Sequence, residues 1–152
     1  MINFIVCEDN KIILQKNIDL INKFMFNNNI NYKVYSFFEY SDELQSIIDS
    51  NIENKIYILD IELENASGID IAKQIRRTDS QSIIIISTIY IEYLPYTLKT
   101  KLMLFDFVSK FENYEQNLCR VVNNAISYIK EQNKLLPTNE SKKQIEEGVK
   151  KI

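Results

Sequence analysis

Ile56-Tyr57-Ile58-Leu59-Asp60 is an apolar, β-favouring run that ends abruptly in a carboxylate and is followed by the polar, glycine-containing stretch Glu62-Leu63-Glu64-Asn65-Ala66-Ser67-Gly68. Such a run reads as a buried strand delivering one acid to its end. An Asp after a strand is commonly only a turn former or a helix cap. Asp60 therefore has to be weighed with whatever stands at the ends of the neighbouring strands.

Outward from this run, strands and helices alternate. Residues 2–7 read as a short buried strand, and Glu8-Asp9-Asn10 leads into a helical pattern over 11–26, with Ile12, Ile13, Leu14, Ile18, Ile21, Phe24 and Met25 at helical spacing. Asn27-Asn28-Asn29 breaks that helix; a second strand is expected at 32–37 and a second helix at 41–52. After the strand at 55–59, a helix over 68–77 carries Ile69, Ile71, Ala72 and Ile75, and 81–86 supplies a strand covered on both faces. Residues 90–100 form the weakest helical pattern because Pro95 interrupts it. A fifth strand is expected at 102–108 and a long last helix at 112–136. Five strands alternating with helices imply right-handed βαβ units, a parallel sheet and helices on both faces.

The length of 152 residues suits one domain, expected at 1–136, with the charged stretch 137–152 after Pro137 as a linker or tail in which Ser141 and Gln144 offer a capping box. A net charge of -3 and pI near 5.1 give no electrostatic footprint for nucleic acid, so DNA binding by this chain itself is not expected. No apolar run approaches the roughly 18 residues that cross a bilayer, and the start Met1-Ile2-Asn3-Phe4 lacks the features of a signal peptide. Cys7 and Cys119 read as two reduced, buried thiols, which suits the cytoplasm. The absence of His excludes imidazole catalysis and His-ligated metals.

In an open parallel sheet, ligands bind outside the carboxyl ends of the strands, where strand order reverses. The expected strand ends carry Glu8-Asp9, Asp60, Ser87-Thr88 and Ser109-Lys110. Three clustered carboxylates repel one another unless a proton or cation intervenes, and an all-oxygen cluster suits a hard ion such as Mg²⁺. A hydroxyl and a Lys opposite such an ion would complete a phosphoryl clamp. Each residue also has a plainer role: Asp9 or Asn10 as cap of the first helix, Lys110 as a solvated charge, Ser87 as a satisfied hydroxyl.

Over residues 1–136 the acidic pair, Asp60, Ser87 and Lys110, in this order and at these separations, resemble the receiver domains of bacterial two-component response regulators. The resemblance implies a flavodoxin-like, doubly wound, five-stranded sheet of order 2-1-3-4-5. It implies that Asp60 accepts a phosphoryl group from a sensor histidine kinase, and that Mg²⁺ is held by Asp9, Asp60 and the Glu62 carbonyl, with Glu8 acting through water. Ser87 and Lys110 would bind phosphoryl oxygens, and the only catalysis would be the protein's own phosphorylation and dephosphorylation. Phe107, three residues before Lys110, would be the switch aromatic coupled to Ser87, moving a face built from the fourth helix, fifth strand and fifth helix. Tyr90, Tyr93 and Tyr96 crowd that face and suit a homodimer.

Receivers usually carry Pro after the Lys, whereas Phe111 stands here, which puts the family's cis peptide in doubt. Together with Leu59-Asp60-Ile61-Glu62-Leu63, Ser67-Gly68-Ile69-Asp70 and Phe105-Asp106-Phe107, this most resembles the receivers of accessory-gene-type regulators. Those regulators act in quorum sensing and control transcription through a LytTR DNA-binding domain, for which residues after Pro137 leave no room; a stand-alone or degenerate receiver acting as a protein-binding module is the alternative. Glu62 and apolar Ile89 beside the site imply a long-lived phosphoryl aspartate. A flavodoxin-like nucleotide binder would need an anion-cradling turn where Glu8-Asp9 stands, and a metal-dependent phosphatase would want acids at alternate positions there.

Overall fold

The computed structural model describes residues 1–89 and 94–135. Its five strands, β1 (Ile2–Cys7), β2 (Tyr32–Phe37), β3 (Lys55–Asp60), β4 (Ile83–Thr88) and β5 (Asp106–Ser109), form one sheet in the order β2-β1-β3-β4-β5. Every pairing is parallel. Helices α1 (Lys11–Phe26), α2 (Asp42–Ile48), α3 (Gly68–Thr78), α4 (Tyr96–Lys101) and α5 (Tyr114–Leu135) connect or follow the strands. This is the doubly wound architecture and strand order expected above.

The pleat divides the core into two layers. Phe4, Val6, Ile56, Ile58, Ile83, Ile85 and Val108 face α1 and α5, whereas Ile5, Cys7, Tyr57, Leu59, Ile84 and Ile86 face Leu44 of α2 and Ile71, Ala72 and Ile75 of α3. β1, β3 and β4 are buried along their whole length because both faces are covered, which explains their continuous apolar sequences. Each fully buried Ile or Leu contributes about 1.5–3 kcal/mol. Burial also pushes the Cys7 thiol up to about 12, so it stays protonated. Cys119 is only half-buried; both thiols are free.

Several boundaries depart from expectation. β4 begins two residues later than expected because Asp79 holds residues 79–82 in a turn, its Oδ1 accepting from the backbone N–H groups of Gln81 and Ser82 at 2.9 Å each. β5 begins at Asp106, since Leu102 and Met103 close the end of α4: Leu104 N–H donates to Lys99 O at 2.9 Å, and Met103 takes the left-handed conformation (φ 50°). Pairing starts only with Phe105 N–H on Ile84 O, at 2.8 Å. α4 starts at Tyr96, directly after Pro95, so the proline stands before the helix and interrupts none of its hydrogen bonds. Positions 90 and 93 of the expected tyrosine cluster, and the stretch 137–152, lie outside the described residues.

α2 stops at Ile48, four residues short of the expected end. The buried Lys55 ammonium there donates to the carbonyls of Ile47 (2.8 Å), Ile48 (3.3 Å) and Ser50 (2.9 Å), closing the helix with a positive charge at its carbonyl end. Arg76 does the same after α4, with Nε on Leu102 O at 2.8 Å and Nη2 on Met103 O at 2.9 Å. Both cations lie at the amino edge of the sheet, so the opposite edge is left to the acids.

Candidate functional site

Because all strands run the same way, their carboxyl ends share one edge, and the reversal of strand order falls between β1 and β3. Glu8 extends β1, its N–H donating to Phe37 O at 2.9 Å, and this turns its carboxylate inward, where it is 1% exposed. Asn10 is the cap of α1: its Oδ1 accepts from Ile12 and Ile13 N–H at 3.0 and 3.1 Å. With the cap supplied by Asn10, the half-buried Asp9 carboxylate is left for the acidic cluster.

Asp60 ends β3 directly beside Ser87 of β4 in the register, and is 6% exposed. Its Oδ1 accepts from Glu62 N–H at 3.2 Å, and its Oδ2 lies 3.2 Å from Lys110 Nζ. Gly68 sets this loop. A side-chain carbon at position 68 would lie 2.2 Å from the Asp60 carbonyl oxygen, so only glycine lets the start of α3 pack against the residue that ends β3. Gly68 N–H donates to Ile61 O at 2.9 Å, and Ser67 caps α3 through Ile69 N–H at 3.1 Å. Asn65 ties the same loop to the end of β2, accepting from Tyr40 N–H at 3.0 Å and donating to Tyr40 O at 2.9 Å.

Lys110 follows β5, its backbone N–H still paired with Thr88 O at 3.0 Å, and the Lys110–Phe111 peptide is trans. Its ammonium donates to Glu8 Oε1 and so bridges the ends of β1 and β3. Glu8, Asp9 and Asp60 each offer an oxygen within 4.8 Å of the others. The second Glu8 oxygen, Oε2, is buried without a hydrogen-bond partner among the described residues. Burial first, then contact with Asp60, pushes the Glu8 carboxyl up to about 8 against the opposing pull of Lys110. A donor set of oxygens only, one of them orphaned, on a crowded anionic site fits Mg²⁺. Glu62 is exposed and its backbone lies in the same loop, joined to Ser67 by a single bridge.

Ser87 is 2% exposed, and among the described residues its Oγ has no hydrogen-bond partner. In the strand alternation it follows Ile83 and Ile85 towards α1 and α5. Phe107 packs in the other layer, with Ile84, Ile86 and Leu104. Tyr114, the first residue of α5, packs against the α1–α5 layer, and its phenol donates to Asn17 of α1. Neither Tyr114 nor Asn17 was singled out from the sequence. Asn17 carried a readable signal, a polar residue on the buried stripe Leu14, Asn17, Ile21, Met25 of α1.

Around the mouth of the site, Ile12 (80% exposed), Phe38 (51%), Ile89 (50%) and Phe111 (82%) stand at the ends of different strands or the start of α1. Among the described residues no helix is long and apolar enough to cross a membrane.

No family model and no curated protein matches this sequence. Solved structures do. The chain is 24% identical to a response regulator receiver domain from Clostridium thermocellum, with a TM-score of 0.69 over 86% of this chain and 98% of that one. The response regulatory domain of mrkE from Klebsiella pneumoniae gives 19% identity and a TM-score of 0.69 over 86% and 99%. The BeF3-activated DrrB receiver domain gives 21% identity and 0.66 over 84% and 98%. The fold is therefore that of response regulator receiver domains.

Proposed function

We propose that this protein is a phosphoacceptor receiver that takes a phosphoryl group from a sensor histidine kinase onto Asp60. The observation that carries this reading is the position of the Asp60 carboxylate, which lies 3.2 Å from Lys110 Nζ, within 4.8 Å of Glu8 and Asp9, and opposite the unpartnered hydroxyl of Ser87. A carboxylate is a weak nucleophile towards an anionic phosphoryl group, so positioning and charge neutralisation have to supply the catalysis. Mg²⁺, when bound by Asp9, Asp60 and the Glu62 carbonyl with Glu8 behind it, supplies positive charge to the phosphoryl oxygens.

The chain's own groups do the rest. An Asp60 oxygen attacks phosphorus, the bond to the donor's imidazole nitrogen breaks, and that nitrogen keeps the electron pair and takes a proton. Lys110, already directed at Asp60, follows one phosphoryl oxygen; Ser87 donates to another. The apolar rim of Ile12, Phe38, Ile89 and Phe111 offers the donor protein a surface that excludes water. No other reaction is assigned to the protein: it catalyses only its own phosphorylation and dephosphorylation, in the cytoplasm. The finer reading follows the sequence motifs. The output is a LytTR-type DNA-binding domain outside this chain, and the phosphorylated form pairs through α4, β5 and α5 to control transcription.

The test is incubation with a small phosphodonor and Mg²⁺, followed by intact-mass measurement. The wild type gains one phosphoryl mass that is lost in mild base, and Asp60→Asn gains none. An equal adduct on Asp60→Asn would assign the chemistry elsewhere.

A further inference from the structure

The loop after β3 is a tight hairpin. Glu62 and Ser67 pair as an antiparallel bridge, Leu63 N–H donates to Ala66 O at 3.1 Å, and Glu64 and Asn65 form the exposed tip. Its base lies at the acceptor: Gly68 N–H closes on Ile61 O at 2.9 Å, and Glu62 N–H donates to Asp60 Oδ1 at 3.2 Å. Its tip is held by Asn65, whose amide accepts from Tyr40 N–H at 3.0 Å and donates to Tyr40 O at 2.9 Å. An Asn that only forms a turn bonds its own backbone within a few residues; this one reaches back 25 positions. The anchor is itself fixed. Tyr40 packs against the α2/α3 layer, its phenol donates to Gln45 of α2, and the next residue, Ser41, caps that helix through Leu44 N–H at 3.2 Å. Leu63 and Ala66 pack against the same layer, but such contact is non-directional and leaves the angle of the hairpin to the Asn65 bonds.

We propose that Asn65 is a positioning residue for the phosphoacceptor Asp60. This rests on the receiver reading above and deepens it. Through the hairpin, the clamp on Tyr40 fixes where Glu62 N–H points. That N–H occupies Asp60 Oδ1 and leaves Oδ2 3.2 Å from Lys110 Nζ, so the plane of the carboxylate is set before a donor arrives. Without the clamp the hairpin keeps its internal bonds but swings as a unit on its base. Glu62 N–H then holds Oδ1 for only part of the time, and the carboxylate turns about its Cβ–Cγ bond away from the line of attack. Asn65 acts through Glu62 and touches neither Asp60 nor the phosphoryl group.

Hydrogen exchange on the metal-free protein and phosphorylation by a small phosphodonor with Mg²⁺ test this together. In Asn65→Ala, exchange is expected to rise about tenfold at the Tyr40 and Glu62 amides, with the Ile58 and Ile85 amides of the sheet unchanged. The maximal phosphorylation rate is expected to fall about tenfold, with the donor concentration for half-maximal rate within about twofold of the wild type, because orientation is lost and donor contacts are not. Glu64→Ala, at the other position of the tip, leaves both readouts as in the wild type. Asn65→Asp keeps the acceptor for Tyr40 N–H and loses the donor; it serves if Asn65→Ala folds poorly, and shows the same effects at smaller size. Three results overturn the positioning role and leave the receiver reading intact: exchange that rises at Tyr40 and not at Glu62, a maximal rate unchanged in both Asn65 variants, or an equal fall of rate in Glu64→Ala. A wild type that takes no phosphoryl group overturns the receiver reading, and with it the role assigned to Asn65.

Discussion

At the amino edge of the sheet, Lys55 is 3% exposed and its ammonium ends on three carbonyls within 3.3 Å. At the carboxyl edge, Glu8 is 1% exposed, with one oxygen orphaned and two further acids beside it. The same fold thus buries charge in two ways. Asp79 belongs with Lys55: burial opposes its ionisation, but the Ser82 hydroxyl, the Ser82 and Gln81 N–H groups and Lys55 together hold its carboxyl below the usual range. Among the described residues, the buried side-chain atoms left without a partner away from the acidic cluster are neutral ones, Asn3 Oδ1 and the Tyr57 hydroxyl. A group with its partners in place stabilises the fold, whereas a buried group without one weakens it and marks a place where a ligand supplies what is missing.

The largest effect is expected where this contrast does not apply. Gly68→Ala forces a carbon onto the Asp60 carbonyl, and an overpacked backbone contact of this kind costs about 3 kcal/mol, a Tm loss of roughly 6–12 °C in a domain of this size. Calorimetry showing an unchanged Tm would mean that the carboxyl edge tolerates changes of shape as well as of charge. Next comes Lys55→Met, which strips three carbonyls at the end of α2 of their donor; about 2 kcal/mol is lost, and Tm falls by roughly 4–8 °C.

At the carboxyl edge the signs reverse. If the acidic cluster binds Mg²⁺, the ion at ten times its Kd is expected to stabilise the wild type by about 1.4 kcal/mol through mass action. Thermal melts of Asp9→Asn should show that gain lost, and an equal gain there would place the ion elsewhere. Smallest is Glu8→Gln, expected to add about 1 kcal/mol in chelator at pH 8. The pH profile gives its sign. Between the ordinary Glu value of 4.5 and about 8, the folded protein holds a proton that the unfolded chain has released, so stability falls as pH rises through this window. Glu8→Gln should flatten that slope. Asp79 has the opposite profile: its lowered value contributes stability above its ordinary 3.8 that is lost as pH falls below it.

Much of this was legible in the sequence because β1, β2 and β3 are runs whose chemistry has one interpretation, and because each site residue follows a strand. β5 was not, since Leu102 and Leu104 are as buried as strand residues yet serve the turn after α4, while the strand itself has only Val108 fully buried. A run of apolar residues reports burial, and hydrogen bonding decides conformation. The division of labour between Asp9 and Asn10 was left open for a similar reason: either side chain can cap a helix, and only the hydrogen bonds from Ile12 and Ile13 assign that role to Asn10. The Tyr114–Asn17 pair was invisible because 97 positions separate its members, and no local pattern spans that distance.

The bridge from Lys110 to Glu8 joins residues 102 positions apart, and it is made by the last strand of the sheet. Such a contact closes only after nearly the whole domain has been synthesised, because long-range pairings form late when chain entropy must first be overcome. A nascent chain that has emerged only as far as β4 already displays Asp60, but lacks the cation that steadies it. The complete arrangement of Glu8, Asp60 and Lys110 therefore comes only with the docking of β5, and a chain released before that point holds Asp60 without its cation.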